Sequence, residues 1–341
     1  MFNLLKLIKK NYIIFKNIQK LNNKYFKIII YSESKSYQKY AYSILEVLSK
    51  KFPNQILYVS SDENDFFEDF NINNLFIGKN LLMQYFFLSV KTKNLILTLT
   101  DLNNHQIKKT KNIKNYIYYF HAPASTTKVY TETAFDNYDT ILCNGDYQIN
   151  EITQRETLGN LKKKNLIKTG YFYFDFLKEK INKQIKADEI LVAPSWNFNQ
   201  KDYINENIEL LISKLIEKGF RVRFRPHPEN IKRSQLYLNR IKNQFFGNQF
   251  IFDDDPENLR SMEKAKCLIT DASGIAIEYV LMFKRPVLYL DDIDKVHNNK
   301  FMDFKDITTI DQTIKKTFGY SFKKNQINEI DSILSKATFE F

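Results

Sequence analysis

The sequence predicts an α/β protein made of two doubly wound, Rossmann-like lobes that face a cleft, with an amphipathic helix in front of them. Near-continuous apolar segments alternate with helical segments along the chain, which is typical of parallel sheets covered on both faces. The length of 341 residues corresponds to two domains at roughly 150 residues each. We expect the basic helix at 1–25, the first lobe at 26–175 and the second lobe at 176–341.

Residues 2–24 are predicted to form the helix. Its lysines fall on one side of a helical wheel and most of its apolar residues on the other. Residues 1–32 contain seven lysines and no acidic residue. A helix of this type either lies in an anionic membrane surface or packs on its own domain with solvated lysines, and the pattern fits both.

The first lobe follows as strands separated by helices. Its predicted strands are 27–33, 55–61, 75–78, 95–101, 116–122, 140–146 and 166–172. Its predicted helices are 37–51 and 80–90. The segment 173–188 joins this array to a second one of similar size. Successive βαβ units of this kind predict an open parallel sheet.

The second lobe shows the same alternation of predicted strands and helices. Its predicted strands are 189–196, 220–228, 249–254, 267–273 and 286–291. Its predicted helices are 204–218, 229–245, 256–264 and 274–282. In an open parallel sheet, ligands bind outside the carboxyl ends of the strands, so the polar residues after each strand indicate the site.

Composition excludes several classes of protein. With 43% hydrophobic and 15% aromatic residues, the chain has enough apolar surface for packed cores. No run of 18 uncharged apolar residues predicts a membrane span, and no cleavage pattern predicts a secretory signal. The two cysteines, Cys143 and Cys267, are too far apart in sequence for a disulfide framework or a thiolate cluster to be expected. We expect a cytoplasmic protein, peripheral on the inner face of the cell membrane.

Arginine is concentrated in the second lobe. The formal net charge is +12, and seven of the eight arginines fall between 221 and 285. Arginine recognises phosphate and carboxylate groups by paired hydrogen bonds better than lysine does. The sequence therefore predicts an anionic ligand in this lobe.

Two histidines follow strands. His121 ends a strongly apolar strand and is a candidate general base, or else a half-buried structural imidazole. Arg225 and His227 lie in an Arg-Pro-His-Pro segment, after a strand on which Arg221, Arg223 and Arg225 alternate onto one face. Because prolines hold this loop extended, we expect a phosphate pocket there, or otherwise a rigid structural turn.

Two further strand ends carry polar groups. Asp271, Ser273 and Gly274 lie where a predicted strand runs directly into a predicted helix. The first N–H groups of that helix form an anion site, or else Asp271 or Ser273 simply caps them. Glu278, one turn further, is placed to meet ribose hydroxyls. Ser195 and Trp196, the only tryptophan, follow the first strand of the second lobe, where the ring lines a nucleoside pocket or only packs.

Other site types lack support. Neither the dinucleotide nor the P-loop glycine fingerprint is present, and the four histidines do not have metal-ligand spacing. The aspartate clusters at 253–255 and 291–294 are interpreted as loops. No interleaved aromatic and basic motif predicts nucleic-acid binding. We expect no metal, no cofactor and no nucleic acid.

Over roughly 116–291, these motifs resemble the CDP-glycerol glycerophosphotransferases that build teichoic acids and related capsular polymers. The matching segments, in order, are His121, Ala193-Pro194-Ser195-Trp196, Arg225 to Pro228, Thr270 to Ser273, Glu278-Tyr279 and Arg285-Pro286-Val287. Ala122, Asn197 and Gly274 stand where that family usually has Gly, Arg and Ser. The resemblance implies a glycosyltransferase B-type (GT-B) fold.

The resemblance also implies a reaction. Glycerol phosphate would pass from CDP-glycerol to a hydroxyl of a polymer or lipid-linked acceptor, with release of CMP. The first lobe would bind the acceptor, with His121 as base, and the second lobe the donor. Arg225, His227, Asp271, Ser273 and Gly274 would meet the diphosphate. Ser195, Trp196 and Glu278 would meet the nucleoside.

Two alternatives stay open. One is a glycosyltransferase of the same fold that uses a CMP- or UDP-linked sugar in capsule or lipooligosaccharide synthesis. The other is a non-catalytic scaffold of a polysaccharide assembly complex, which would bind no donor.

Overall fold

Two compact units make up the chain in the computed structural model. The first comprises Met1–Ala122, Tyr130–Glu179 and Asn298–Lys305, and the second comprises Pro123–Val129, Lys180–His297 and Asp306–Phe341. The structure describes the chain except for these positions: 1, 23, 105–106, 183, 197–205, 256, 272, 291–295, 305–306 and 340–341.

A parallel sheet forms the centre of the first unit. Its strands are β1 Phe26–Ser32, β2 Ile56–Ser60, β3 Asn73–Phe76, β4 Thr92–Leu97, β5 Ile113–Tyr119, β6 Thr140–Cys143 and β7 Asn165–Lys168. They lie in the order β3-β2-β1-β4-β5-β6-β7. The helices are α1 Phe2–Asn22, α2 Gln38–Lys51, α3 Leu81–Ser89, α4 Asp146–Leu158 and α5 Phe172–Lys180.

Both faces of this sheet are covered. Along β1, Ile29 and Tyr31 belong to one core cluster, whereas Ile28 and Ile30 belong to the cluster on the opposite face. Alternate residues of a strand point to opposite faces, so a sheet packed on both sides needs apolar residues at every position. This packing explains the near-continuous apolar segments of the sequence and confirms the predicted sheet type.

The helix α1 is packed through part of its length only. Ile14 and Ile18 are buried in the core of the first unit, where α1 contacts α3 and β3. Nearer its start, Leu5, Leu7 and Ile8 are each more than half exposed. Among the described residues, no helix combines the length and the apolar character needed to cross a bilayer.

The second unit is organised around a six-stranded parallel sheet. Its strands are β8 Glu189–Val192, β9 Arg221–Phe224, β10 Phe250–Phe252, β11 Ala265–Thr270, β12 Val287–Leu290 and β13 Gly319–Phe322, in the order β10-β9-β8-β11-β12-β13. The helices are α6 Glu206–Glu217, α7 Pro228–Arg233, α8 Gln235–Gln244, α9 Leu259–Lys264, α10 Ile275–Phe283, α11 Ile310–Phe318 and α12 Ile330–Phe339.

Some sequence-based boundaries were wrong. The single helix expected at 229–245 is two helices, α7 and α8, because Ser234 between them has the non-helical angles φ −118° and ψ 34°. The strand expected at 220–228 ends at Phe224, before Pro226 and Pro228, whose missing N–H groups cannot continue a ladder. The helices α4 and α5 and the elements after β12 were not predicted, and α5 occupies much of the segment 173–188 that was expected to join the two arrays.

Candidate functional site

His121 lies just past the carboxyl end of β5, in the first unit. Its backbone carbonyl accepts a hydrogen bond from the Tyr171 hydroxyl at 2.9 Å. Its ring centroid is 5.3 Å from that of Tyr37 and 6.0 Å from that of Tyr40. The ring therefore lies in an aromatic environment that its sequence neighbours did not indicate.

Burial controls the charge of this imidazole. The ring nitrogen Nδ1 is buried and, among the described residues, has no hydrogen-bond partner. Desolvation disfavours the charged form and lowers the pKa of His121 to about 4. The ring is therefore neutral at pH 7.

In the second unit, the carboxyl ends of β8 and β11 are joined by Ser195 and Asp271. The Asp271 carboxylate accepts a hydrogen bond from the Ser195 backbone N–H at 2.9 Å and another from the Ser195 hydroxyl at 2.9 Å. Thr270 reinforces the junction by donating from its hydroxyl to the carbonyl of Ala193 at 2.6 Å. Two residues predicted for the donor site are thus brought together, and Asp271 acts here by fixing Ser195.

The helix α10 begins four residues after Asp271. Gly274 is its N-cap residue and has no side chain that could accept from the N–H groups of the first turn. The first internal hydrogen bonds are donated by the N–H groups of Ala276 and Ile277. A Cβ atom at exposed Gly274 would meet nothing within 4 Å. The positive end of the α10 dipole is therefore accessible to an anion.

Glu278 is buried in the first turn of α10. Its carboxylate accepts a hydrogen bond from the Asn258 side-chain amide at 2.9 Å. This contact is to the residue before α9, so it does not join Glu278 to another residue predicted for the site.

His227 caps α7. Its Nδ1 atom accepts a hydrogen bond from the backbone N–H of Glu229 at 3.2 Å. A ring nitrogen that accepts cannot carry a proton, so this contact selects the neutral tautomer with the proton on Nε2. The imidazole consequently presents an N–H donor on its other side.

Trp196 and His227 are also brought together. Their rings are nearly parallel, with an interplanar angle of 21° and centroids 6.4 Å apart. The Arg233 guanidinium lies 5.4 Å from the Trp196 ring centroid. This aromatic and cationic surface at the ends of β8 and β9 suits a nucleobase or a phosphate.

The arginines of the second unit are engaged in internal contacts. Arg225 donates to Asp253 at 3.0 Å and to the backbone carbonyl of Asp255 at 2.6 Å. The remaining six also have internal partners: Arg221 with Asp188, Arg223 with Glu189, Arg233 with Glu229, Arg240 with Glu209, Arg260 with Glu263, and Arg285 with the carbonyl of Ala265. Each of these arginines therefore has a carboxylate or carbonyl partner within the second unit.

Sequence reasoning missed the residues around His121. Glu33, Tyr37 and Tyr40 follow β1, and the Tyr37 side chain hydrogen-bonds Glu33. The rule applied to the other strands, that polar residues after a strand line the site, would have found Glu33. The described residues include no cluster of three or more His, Cys, Asp or Glu side chains that could hold a metal ion. Positions 291–294 lie outside the described residues.

Comparison with known proteins identifies the fold. The chain is similar to the wall teichoic acid polymerase TagF, with 17% identity over 92% of this chain and 82% of that chain, at a TM-score of 0.62. It is also similar to UDP-GlcNAc 2-epimerase from Methanocaldococcus jannaschii in complex with UDP-GlcNAc and UDP, with 12% identity over 92% of this chain and 93% of that chain, at a TM-score of 0.60.

Neither a model of a protein family nor a curated protein matches the sequence. At such low identity, the structural similarity establishes the architecture alone. The chain has two parallel-sheet α/β domains of the GT-B type, as predicted.

Proposed function

We propose that this chain is a transferase that moves glycerol phosphate from CDP-glycerol to a hydroxyl of a cell-surface polymer or lipid-linked acceptor, releasing CMP. The observation that supports this most is the junction of Ser195 with Asp271 just before the uncapped start of α10. A helix N-terminus at the carboxyl edge of a parallel sheet suits the diphosphate of an activated donor. The order of the motifs supports the same donor class.

In this proposal, the donor diphosphate binds at the first turn of α10. The N–H groups of Gly274 and Ile275 and the Ser273 hydroxyl donate hydrogen bonds to its oxygens. His227 donates from Nε2 to the leaving CMP. Arg225 contributes positive charge from the end of β9, although its guanidinium is shared with Asp253.

The nucleoside lies toward Trp196 in the proposed complex. The indole ring packs against the base, and Ser195 keeps the strand end in place through Asp271. Glu278 meets the ribose hydroxyls from the first turn of α10. A carboxylate is a suitable acceptor for two neighbouring hydroxyl donors.

The proposed chemistry is a displacement at phosphorus. The acceptor hydroxyl oxygen attacks the phosphorus that carries glycerol, and His121 removes the hydroxyl proton. The bond between that phosphorus and the bridging oxygen breaks, and its electron pair leaves with CMP. The products are a glycerol phosphodiester on the acceptor, CMP and one proton, which His121 passes to solvent.

The low pKa of His121 determines which form of the base is present. Desolvation lowers the pKa to about 4, so the imidazole is neutral at pH 7 and able to accept a proton from a hydroxyl.

Product analysis tests the proposal. The full chain is incubated with CDP-glycerol or with UDP-GlcNAc, and the release of CMP or UDP is measured. CDP binding is followed by thermal shift, because a ligand at about 100 times its Kd stabilises a protein by about 2.7 kcal/mol. CDP stabilisation with CMP release from CDP-glycerol is expected. Absence of CDP binding would contradict the proposal and favour a scaffold.

A sugar transferase of the same fold is the second candidate. The epimerase with the same architecture is in complex with UDP-GlcNAc and UDP, which shows that this architecture accommodates a uridine nucleotide. UDP stabilisation, with UDP release from the sugar donor and no CMP release, would favour this candidate.

We also propose that α1 attaches the protein to the inner face of the membrane. Leu5, Leu7, Ile8 and Tyr12 are each more than half exposed. The lysines among and after them provide positive charge that complements anionic lipid headgroups. Ile14 and Ile18 anchor the same helix in the first unit, so the exposed half would hold the enzyme near a lipid-linked acceptor.

A further inference from the structure

We infer that the surface around His121 is an acceptor subsite for a neutral sugar ring, and not for a phosphate-ended chain. This inference rests on the proposed role of His121 as base and names the chemical class of the acceptor. It starts from the tyrosines around the imidazole. Tyr37 and Tyr40 are half-buried, and their rings lie 5.3 Å and 6.0 Å from the His121 ring, centroid to centroid.

Buried aromatic residues support the Tyr40 ring, and the Tyr37 ring lies against Tyr40 with centroids 6.2 Å apart. Tyr40 packs against Tyr173 with centroids 5.0 Å apart, and Tyr171 bonds the His121 carbonyl. Tyr171 and Tyr173 are 5% and 1% exposed. Because the supporting rings are fixed in the core, the exposed parts of Tyr37 and Tyr40 form a rigid surface beside the imidazole.

Two charged residues border this surface, an acid beside Tyr37 and a lysine beside Tyr40. Glu33 follows β1 and is hydrogen-bonded to the Tyr37 side chain, and burial raises the pKa of its carboxyl group. On the other side, the Lys39 ammonium lies 5.2 Å from the Tyr40 ring centroid and 5.0 Å from the Tyr173 ring centroid. Tyr37 is the tyrosine nearer to His121, and the charged residue bound to it is the acid Glu33.

This combination matches a sugar ring. A pyranose has apolar C–H faces that pack on aromatic rings, and hydroxyls that hydrogen-bond phenol and carboxyl groups. A phosphate terminus placed beside Tyr37 would meet the Glu33 carboxyl group, whose charged form repels a phosphate. The acceptor hydroxyl that faces His121 is thus assigned to a neutral sugar.

Saturation-transfer NMR on the full chain tests the assignment. The probes are methyl β-glucoside and sn-glycerol 3-phosphate, each measured with and without CDP. We expect transfer to the glucoside. Tyr37→Ala should reduce that signal about fivefold, whereas Tyr37→Phe should retain most of it. Tyr25→Ala is the matched control, since Tyr25 is 65% exposed and away from this surface in sequence.

Replacing the acid provides a second measurement. Glu33→Lys should weaken the glucoside signal and strengthen the glycerol phosphate signal, because it reverses the local charge. A glucoside signal that Tyr37→Ala leaves unchanged would overturn the inference, as would wild-type binding of glycerol phosphate without glucoside. Separately, CDP thermal shifts report the donor site, so a protein that binds glucoside but not CDP would contradict only the proposed reaction.

Discussion

Asp271 holds Ser195 by its main chain and its side chain at once. Both residues are buried, and they lie 76 positions apart in the sequence. Ser195 lies beyond the end of β8 at Val192. Its N–H therefore donates to the Asp271 carboxylate and not to a neighbouring strand. The junction therefore determines the path of the chain into Trp196.

Asp271→Asn should loosen this junction. The amide has one acceptor oxygen in place of two, and its NH2 group cannot accept from Ser195. We expect a loss of about 1–3 kcal/mol in unfolding free energy and weaker CDP stabilisation. Ser195→Ala, which keeps the backbone bond, is the milder comparison. Urea denaturation measures both, and a wild-type midpoint for Asp271→Asn would refute the structural role of the carboxylate.

His121→Ala should separate chemistry from donor binding. If the imidazole is the general base, turnover of CDP-glycerol falls on the order of 10²–10⁴-fold, while donor affinity stays near the wild-type value. Single-turnover CMP release and CDP-glycerol titration provide the two measurements. Turnover close to that of the wild type would remove His121 from the mechanism.

The same imidazole should make stability depend on pH. The folded protein takes up this proton only near pH 4, whereas the unfolded chain takes it up near pH 6.5. The unfolded state thus binds more protons between these values, so stability is lost as pH falls from about 6.5 to about 4. The His121→Asn variant lacks this pH-dependent contribution to the free energy of unfolding. Denaturation at several pH values should show the wild-type stability falling more steeply; parallel curves would contradict the burial of a neutral ring.

Two substitutions at His227 should distinguish its cap from its proposed catalytic role. Ser can also cap a helix, so His227→Ser should keep most of the stability but lose turnover. His227→Ala loses the cap as well, at a cost of about 0.5–2 kcal/mol. Thermal unfolding and CMP release are compared for both variants. Full turnover by His227→Ser would show that the imidazole serves only as the cap of α7.

Substitutions in α1 should affect membrane binding without affecting the fold. Leu7→Gln combined with Ile8→Gln removes exposed apolar surface, so pelleting with phosphatidylglycerol vesicles should fall. Leu236→Gln is the control, since Leu236 is 90% exposed in the second unit. Wild-type pelleting should also weaken with salt, because exposed charges are screened. Unchanged pelleting by the double variant would refute the proposed anchor.

Most strands could be predicted because the central ones are apolar along most of their length, and burial on both faces produces that pattern. The helix α4 could not be predicted from the sequence. Its buried residues include Gln148, Glu151 and Glu156, so its inner face has no apolar period. The helix is stabilised by tertiary contacts of polar groups, which a search for apolar periodicity does not detect.

The candidate site was predictable only in part. The positions of Ser195, His227 and Asp271 after strands could be anticipated, since chain order determines which residues follow a strand. The partners of the arginines could not be anticipated, because Glu189 lies 34 positions from Arg223 and Asp253 lies 28 positions from Arg225. An arginine-rich segment therefore does not by itself show which of its arginines pair with carboxylates from distant positions of the chain.

The segment Pro123–Val129 belongs to the second unit, although the chain on both sides of it belongs to the first. Within it, the buried Lys128 side chain forms an ion pair with Asp311. A gene fragment cut at the main boundary between Glu179 and Lys180 would encode Asp311 without its lysine. The two domains consequently cannot be produced as independent halves by one cut, because Pro123–Val129 and Asn298–Lys305 would each be encoded with the half to which they do not belong.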